Sequence, residues 1–128
     1  MDMNLTLLRL ASSLAAHATA RQTVITENIA HADTPGYRAR DIADFAETLD
    51  SPGLAARTTR PGHMPFGTEA GGFEAREVAA FGAETPNGNS VSLEDQMMRA
   101  ADVRQNHQLA LGVYGKSMDI LRAGLGRK

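Results

Sequence analysis

The residue types that most often do chemistry are sparse in this sequence and poorly spaced for it. Four histidines, His17, His31, His63 and His107, are scattered along the chain. None pairs with another His or with a carboxylate at a spacing that places two metal ligands on one helix face. They read as ordinary surface or interface histidines, since an unperturbed imidazole needs no special role. Asp41, Asp44 and Glu47 form an acidic cluster that invites a metal-binding or acid–base reading. A helix would bring Asp41 and Asp44 together, but no partner base or Gly-rich phosphate loop accompanies them. A solvated face, or salt links to Arg38 and Arg40, accounts for them more simply. The absence of Cys removes disulfides, zinc thiolates and cysteine nucleophiles together. No catalytic, cofactor-binding or metal-binding residue is assigned, and no enzyme activity is expected.

Composition narrows the partners. The formal charge of −2 over 128 residues argues against a nucleic-acid binder, which needs a basic surface to displace counterions. Arg38 and Arg40, in an acidic neighbourhood, do not change that. No block of like charges suggests a membrane-surface patch. The run from Leu5 to Ala20 is apolar, yet Arg9 interrupts it and Asp2 is the only charge before it. A cleaved secretory signal needs a basic start and an unbroken apolar stretch, so none is expected here. The run is also too short and too polar to span a bilayer.

The elements that would position functional groups lie at the two ends. Leu7, Ala11, Leu14, Ala18, Arg21, Ile25, Asn28 and Ala32 follow steps of four and three, the stripe of a helix with one buried seam. Asp33-Thr34-Pro35-Gly36 stops it, because the residue before Pro is pushed out of helical geometry. Pro35 and Gly36 suit the central positions of a type II turn, where Pro fixes φ and Gly accepts a positive one. From Leu93 the same steps give Met97, Ala100, Arg104, His107, Leu111, Tyr114, Met118, Leu121 and Leu125. Ser92 and Asp95 resemble a capping box at its start. Glu94 and Asp95 at the start, with Arg122, Arg127 and Lys128 at the far end, complement the helix dipole. Each helix would run about 40–50 Å at ~1.5 Å per residue.

The middle is different. Four of the five Pro and seven of the twelve Gly fall between Ser51 and Ser90, so the ends must supply any core. The expected organisation is a single structural unit: 1–50, an N-terminal helix, turn and short following helix; 51–90, a Gly/Pro-rich connecting loop; 91–128, a C-terminal helix. Asp41 to Leu49 suits the short helix, with Ile42, Phe45 and Leu49 on one side, and a small hairpin is possible around Phe73 to Phe81. The fold class is mainly α, with two long terminal helices forming a coiled-coil-like pair and the loop or small hairpin between them.

Two such helices bury only facing strips of each other, and so short a chain has little else to cover the remainder. Much of each seam is Ala, which favours close helix approach. Gly112 and Gly115 inside the second helix each cost about 1 kcal/mol against Ala; close contact with a neighbour, or simple tolerance, explains them equally well. Arg21, Asn28, Arg104 and His107 are polar seam positions of the kind that fix register at some cost in stability. The chain looks built to complete its core with other subunits.

The junction after the first helix carries a resemblance. Glu27-Asn28-Ile29-Ala30-His31-Ala32-Asp33-Thr34-Pro35-Gly36-Tyr37-Arg38-Ala39-Arg40-Asp41 resembles the signature of the flagellar rod and hook protein family, in which an Asn-x-x-Asn pattern runs into Thr-Pro-Gly-Tyr. Asp33, the Arg38–Asp41 run and Phe45 look specifically like the proximal-rod members. So do Thr58 or Thr59 ahead of His63-Met64, the Asn87–Glu94 run leading into Met97, and the short length. Two departures stand out: His31 replaces the second Asn of the pattern, and His107 replaces an aromatic usual in the last helix.

The resemblance implies a structural subunit of the proximal rod of the bacterial flagellar basal body. It would polymerise through its terminal helices into a helical tube that transmits torque and lines the export channel. Implied partners are itself and other rod proteins (FlgC-like, FliE-like), the MS ring base and the flagellar type III export apparatus. No nucleic acid, small-molecule substrate or cofactor is implied. The implied location is the rod in the periplasmic space, reached without signal-peptide cleavage. Subunit-interface residues would be Leu7, Ala11, Leu14, Ala18, Ile25, Asn28, Tyr37, Arg38, Arg40, Met97, Leu111, Tyr114, Met118 and Leu121, with Thr34, Pro35, Gly36 and Tyr37 as the turn motif. Tyr37 has two readings, a turn aromatic packing on its own helix or an anchor against an adjacent subunit. The alternative function is a freestanding helical adapter or chaperone of the flagellar export and assembly system.

Overall fold

The computed structural model describes residues 2–49, 73–79 and 84–126. Helix α1, Asp2–Ala30, leads into strand β1, Arg40–Ile42, and the short helix α2, Phe45–Leu49. Strand β2, Ala75–Glu77, and helix α3, Leu93–Gly126, complete the order. The chain is mainly helical, with α1 of 29 and α3 of 34 residues. Most of the 51–90 segment, residues 51–72 and 80–83, lies outside the described residues, and the loop expected there falls largely on them.

α1 and α3 pack antiparallel. Asn28 near the end of α1 meets Gln96 near the start of α3, while Ala18, Ile25, Val103 and Ala100 form the apolar cluster between them. The buried positions recur at seven-residue intervals, Ala11, Ala18 and Ile25 on α1, and Gln96, Val103, Ala110 and Ser117 on α3. Most are small, which lets the two backbones approach. The cost is a thin core: burying one methyl contributes about 0.8 kcal/mol, against ~1.5–3 for a Leu or Ile side chain. Several of the largest fully buried side chains are polar, namely His17, Gln96, Asn28 and Asn89.

The α3 seam is rotated from the one expected. Leu93, Met97, Leu111, Tyr114 and Leu125 are exposed, as are Arg104 and His107. The row facing α1 lies about one residue, ~100° around the helix, away. Small residues and a hydrogen-bonding Gln won that face because α1 offers it Ala and Asn28, and bulky side chains would hold the helices apart.

Local rules explain the first turn. After Ala30, His31 N–H still donates to Glu27 O at 3.0 Å and Ala32 N–H to Ile29 O at 3.2 Å, a tightened last turn. Tyr37 N–H then donates to Thr34 O at 3.3 Å and Gly36 has φ +75°, as a type II turn over Thr34–Tyr37 requires. At the start of α3, Gln96 N–H donates to Ser92 O at 3.0 Å and Asp95 N–H lies 3.4 Å from Ser92 Oγ, which places Ser92 as the N-cap.

Two expectations for the middle need correction. Asp41 to Leu49 is not one helix: Arg40–Ile42 is extended, and helix begins only at Phe45. Ile42 N–H donates to the Asp41 carboxylate at 2.8 Å, and Arg40 is held at both backbone groups by Asn28, which keeps this stretch extended. Ala75–Glu77 is a strand, but its partner is β1 rather than a following segment toward Phe81. The pair is antiparallel, with Arg40 opposite Glu77, Asp41 opposite Arg76 and Ile42 opposite Ala75.

Candidate subunit-assembly site

Asn28 is the hub of the turn region. Its side-chain nitrogen donates to Arg40 O at 2.7 Å and to Gln96 Oε1 at 3.0 Å. Its oxygen accepts from Tyr37 O–H and from Arg40 N–H, both at 3.1 Å. An amide side chain has two donors and two acceptor sites, so Asn28 is fully used and fully buried. It ties together α1, the turn, β1 and α3.

The segment before α3 clasps the same turn. Asn89 Nδ2 donates to His31 O and Thr34 O at 2.8 and 2.7 Å, and Asn89 Oδ1 accepts from Val91 N–H at 2.8 Å. Ser90 Oγ accepts from Ala39 N–H at 2.7 Å while Ser90 N–H donates to Tyr37 O at 3.0 Å. Gly36 N–H donates to Asn87 O at 3.0 Å. Gly88, at φ +86°, packs on the turn, where a β-carbon would stand in ordinary van der Waals contact, 3.5 Å from Gly36 Cα. Asn89 thereby caps the carbonyls of the turn that follows α1, His31 O and Thr34 O, from 58 and 55 positions away.

A buried ion cluster locks β1 to both helices. Arg21 Nε and Nη2 donate to the two Asp41 carboxylate oxygens at 3.0 Å each, a bidentate fork. Arg99 of α3 also pairs with Asp41, and its Nε donates to Asp95 Oδ2 at 2.9 Å. Arg21 Nη1 lies 3.5 Å from Asp44 Oδ1. Burial by itself would raise the Asp41 pKa; the hydrogen bonds from Arg21 and Ile42 N–H, with the charges of Arg21 and Arg99, outweigh that and lower it. For Arg21 burial works against the charge, and Asp41, Asp44 and Asp102 more than offset it, so its pKa is raised. The expected salt links from the acidic cluster to Arg38 and Arg40 do not form. Arg38 pairs with Glu84, and Arg40 Nη2 donates to Ala75 O at 2.9 Å. Asp41 and Asp44 are thus structural partners of Arg21 and do not form a general acid–base pair.

His17 has a local role. Its Nε2 donates to Ala43 O at 2.7 Å, and the ring lies 5.5 Å from Phe45 and 5.1 Å, edge on, from Phe73. It pins α2 and the approach to β2 against α1. His31 stacks on Tyr37 with ring centroids 4.7 Å apart, so the residue that departs from the Asn-x-x-Asn pattern packs against the turn tyrosine. Partial burial and the Glu27 charge raise the Tyr37 pKa, with Arg40 opposing. Among the described residues no group of three His, Cys, Asp or Glu could hold a metal, and no described helix is long and apolar enough to cross a membrane.

The proposed interface residues divide by exposure. Ala11, Ala18, Ile25 and Asn28 are buried within the chain, and Leu7, Leu14, Tyr37, Met118 and Leu121 are half-buried. Arg38, Arg40, Met97, Leu111 and Tyr114 are exposed, as are Thr34, Pro35 and Gly36 of the turn. Met97 is 68% exposed, Leu111 57% and Tyr114 46%, values unusual for such side chains on one helix. Gly112 and Gly115 have no neighbour within 4 Å of an added β-carbon, so packing within the chain does not explain them. A groove of about 460 Å³ runs between Thr19, Thr23 and Thr26 of α1 and Val103, Arg104 and His107 of α3. Sequence reasoning missed Gln96 and Arg99 and the bonds that Asn89, Ser90 and Asp95 make; the Asn87–Glu94 run and the Ser92–Asp95 capping box marked that neighbourhood without those roles.

No protein-family model matches the chain. Three relatives do. The chain is 33% identical over 119 residues to the flagellar basal body rod protein FlgB of Salmonella typhimurium, covering 81% of this chain and 84% of that protein. It is 32% identical over 117 residues to the FlgB of Escherichia coli, covering 81% and 84%. It is 29% identical over 108 residues to the FlgB of Agrobacterium fabrum, covering 80% of each.

Proposed function

The chain belongs to the FlgB family of flagellar basal body rod proteins, and from that premise we propose that it is a structural subunit of the proximal rod that polymerises through its terminal helices. In this reading α1 and α3 form a coiled-coil-like pair within a helical tube that transmits torque and lines the export channel. Its neighbours are copies of itself, other rod proteins of the FlgC and FliE kinds and the MS ring base. It reaches the periplasmic rod through the flagellar type III export apparatus without signal-peptide cleavage. The role is structural and not enzymatic.

One observation carries the reading: α3 leaves Met97, Leu111 and Tyr114 uncovered on a chain whose own core is thin. Burying a side chain of that size is worth ~1.5–3 kcal/mol each, which is the gain assembly would realise. Leu7, Leu14, Met118 and Leu121 border the same surfaces, and Tyr37, Arg38 and Arg40 present the turn. Ala11, Ala18, Ile25 and Asn28 brace the pair from inside. The test is Leu111→Asp paired with Tyr114→Asp. Both sites are exposed, so each variant keeps its helix content by circular dichroism, and each is lost from purified basal bodies. Normal incorporation of both would remove the reading.

A further inference from the structure

Of the five asparagines, only Asn87 is followed by glycine. In that pair an asparagine side chain is most open to attack by its own backbone, because the next residue has no β-carbon to stand in the way. Asn87 is exposed and Gly88 half-buried, so the pair meets water.

The reaction needs no other reagent. The Gly88 amide nitrogen gives up its proton and attacks Asn87 Cγ. The new C–N bond closes a five-membered succinimide, and Nδ2 leaves as ammonia, taking up a proton in exchange. Water then opens the ring. Cleavage at Cγ leaves aspartate in an ordinary backbone. Cleavage at the Asn87 main-chain carbonyl leaves isoaspartate, with the chain running through the former side chain and one methylene longer.

The clasp on the turn holds this reaction back. Gly88 N–H donates to Thr85 O at 2.9 Å, and ring closure consumes that N–H, so this bond must be lost first. Asn87 Oδ1 accepts from Asn89 N–H at 3.1 Å and meets the Thr85 hydroxyl, which fixes the side chain. Those two donors also draw electrons from Cγ, so the occupied Gly88 N–H is the decisive restraint. Asn87 O accepts from Gly36 N–H at 3.0 Å, which anchors the same peptide to the turn after α1. Asn89, followed by Ser90, is an internal control: it is buried, and its Nδ2 donates to His31 O and Thr34 O.

We propose that Asn87 is a self-modification site gated by the clasp: while the clasp is closed Asn87–Gly88 persists, and while it is open the pair converts irreversibly to aspartate and isoaspartate. The two products differ in consequence. Aspartate keeps the backbone, and its carboxylate still accepts from Asn89 N–H. Isoaspartate turns the carbonyl that held Gly36 N–H into a free carboxylate and displaces Gly88 along the chain, so the clasp does not re-form. Chains left open are marked, and chains that close are spared. This goes beyond the rod-subunit reading and does not depend on it.

The full chain is incubated at neutral pH with and without denaturing urea, then digested and weighed by tandem mass spectrometry. Asn87 gains one dalton in urea, and in buffer it does so at least about tenfold more slowly, a factor that ~1.4 kcal/mol of opening free energy supplies. Asn89→Ala, which removes the bonds to His31 O and Thr34 O, speeds conversion at Asn87 in buffer and leaves the urea rate unchanged. Should that variant not fold, the aged unsubstituted chain gives a second readout. Its isoaspartate fraction, separated chromatographically and identified by isoaspartate methyltransferase labelling, unfolds at lower urea than the unconverted chain, while Asn87→Asp unfolds close to it. Equal rates in buffer and urea, faster conversion at Asn89 than at Asn87, or an isoaspartate fraction as stable as the unconverted chain would each overturn the proposal.

Discussion

The Asn28 side chain donates to Gln96 Oε1 at 3.0 Å, joining the last turns of α1 to the first turn of α3 across 68 positions of sequence. Both side chains are fully buried. Because Asn28 also holds Tyr37 and both backbone groups of Arg40, the helix pair and the turn are one hydrogen-bonded unit at this end. Towards the opposite end the buried positions are small, Ala11, Ala110 and Ser117, with Leu7, Leu14, Met118 and Leu121 only half-buried around them.

Removing the hub tests that unity. Asn28→Ala strips partners from four polar groups at once, and each buried unsatisfied group costs ~1–3 kcal/mol. Solvation of the half-exposed ones reduces the sum, so urea denaturation of the isolated chain should show a loss of about 3 kcal/mol or more. A loss under about 1 kcal/mol would mean the end is not organised around Asn28.

The ion cluster makes a pH-dependent prediction. Asp41 has a folded pKa below the ordinary Asp value of 3.8, because the Arg21 and Ile42 N–H hydrogen bonds and the Arg21 and Arg99 charges outweigh its burial. Its ionised form therefore contributes stability that is fully present above the unfolded pKa and is lost as pH falls through the lowered folded value. Asp41→Asn leaves Arg21 and Arg99 without a counter-charge and should cost about 3–5 kcal/mol at neutral pH. The gap between the two proteins should then narrow as pH drops below ~4. Denaturation curves from pH 7 to 3 read it directly, and a gap independent of pH would count against the assignment.

Two glycines are held by the same backbone constraint. Gly36→Ala meets nothing within 4 Å, so its cost is only the positive φ, ~1–2 kcal/mol. Gly88→Ala has the same strain, and its β-carbon, 3.5 Å from Gly36 Cα, makes an ordinary van der Waals contact that adds no further cost. Both should lower the thermal midpoint, and Gly36→Asn should recover part of the loss because Asn tolerates that region.

Hydrogen exchange should be polarised along the helices. Amides of Ile25–Asn28 and Gln96–Val103, next to the network, should exchange more slowly than those of Leu121–Gly126, where Leu125 is 69% exposed. Uniform protection along α3 would contradict a one-ended clamp.

The features legible in the sequence are those set by local chemistry. The α1 stripe through Ala11, Ala18 and Ile25, its stop before Pro35, the type II turn at Gly36 and the Ser92 cap all follow from neighbours within a few residues. What was not legible depends on partners far away. Asp41 lies between Arg21 and Arg99, and nearby Arg38 and Arg40 were the more obvious partners. Gln96, Asn89 and Ser90 look like ordinary polar residues until the turn they bind comes into place. The α3 face was misread for a related reason. Counting apolar residues selects the bulkiest row, whereas close packing on an Ala-rich helix selects the row containing Val103, Ala110 and Ser117. The candidate site was legible in part: Leu111 and Tyr114 were chosen from the apolar row, and their exposure came only from the structure.

The most direct measurement is cryo-imaging of purified basal bodies at side-chain resolution. The account predicts density for the α1–α3 pair in the proximal rod, with Leu111 and Tyr114 covered by a neighbouring subunit. Rods in which this chain is missing, or in which those two side chains of α3 touch no other protein, would contradict it.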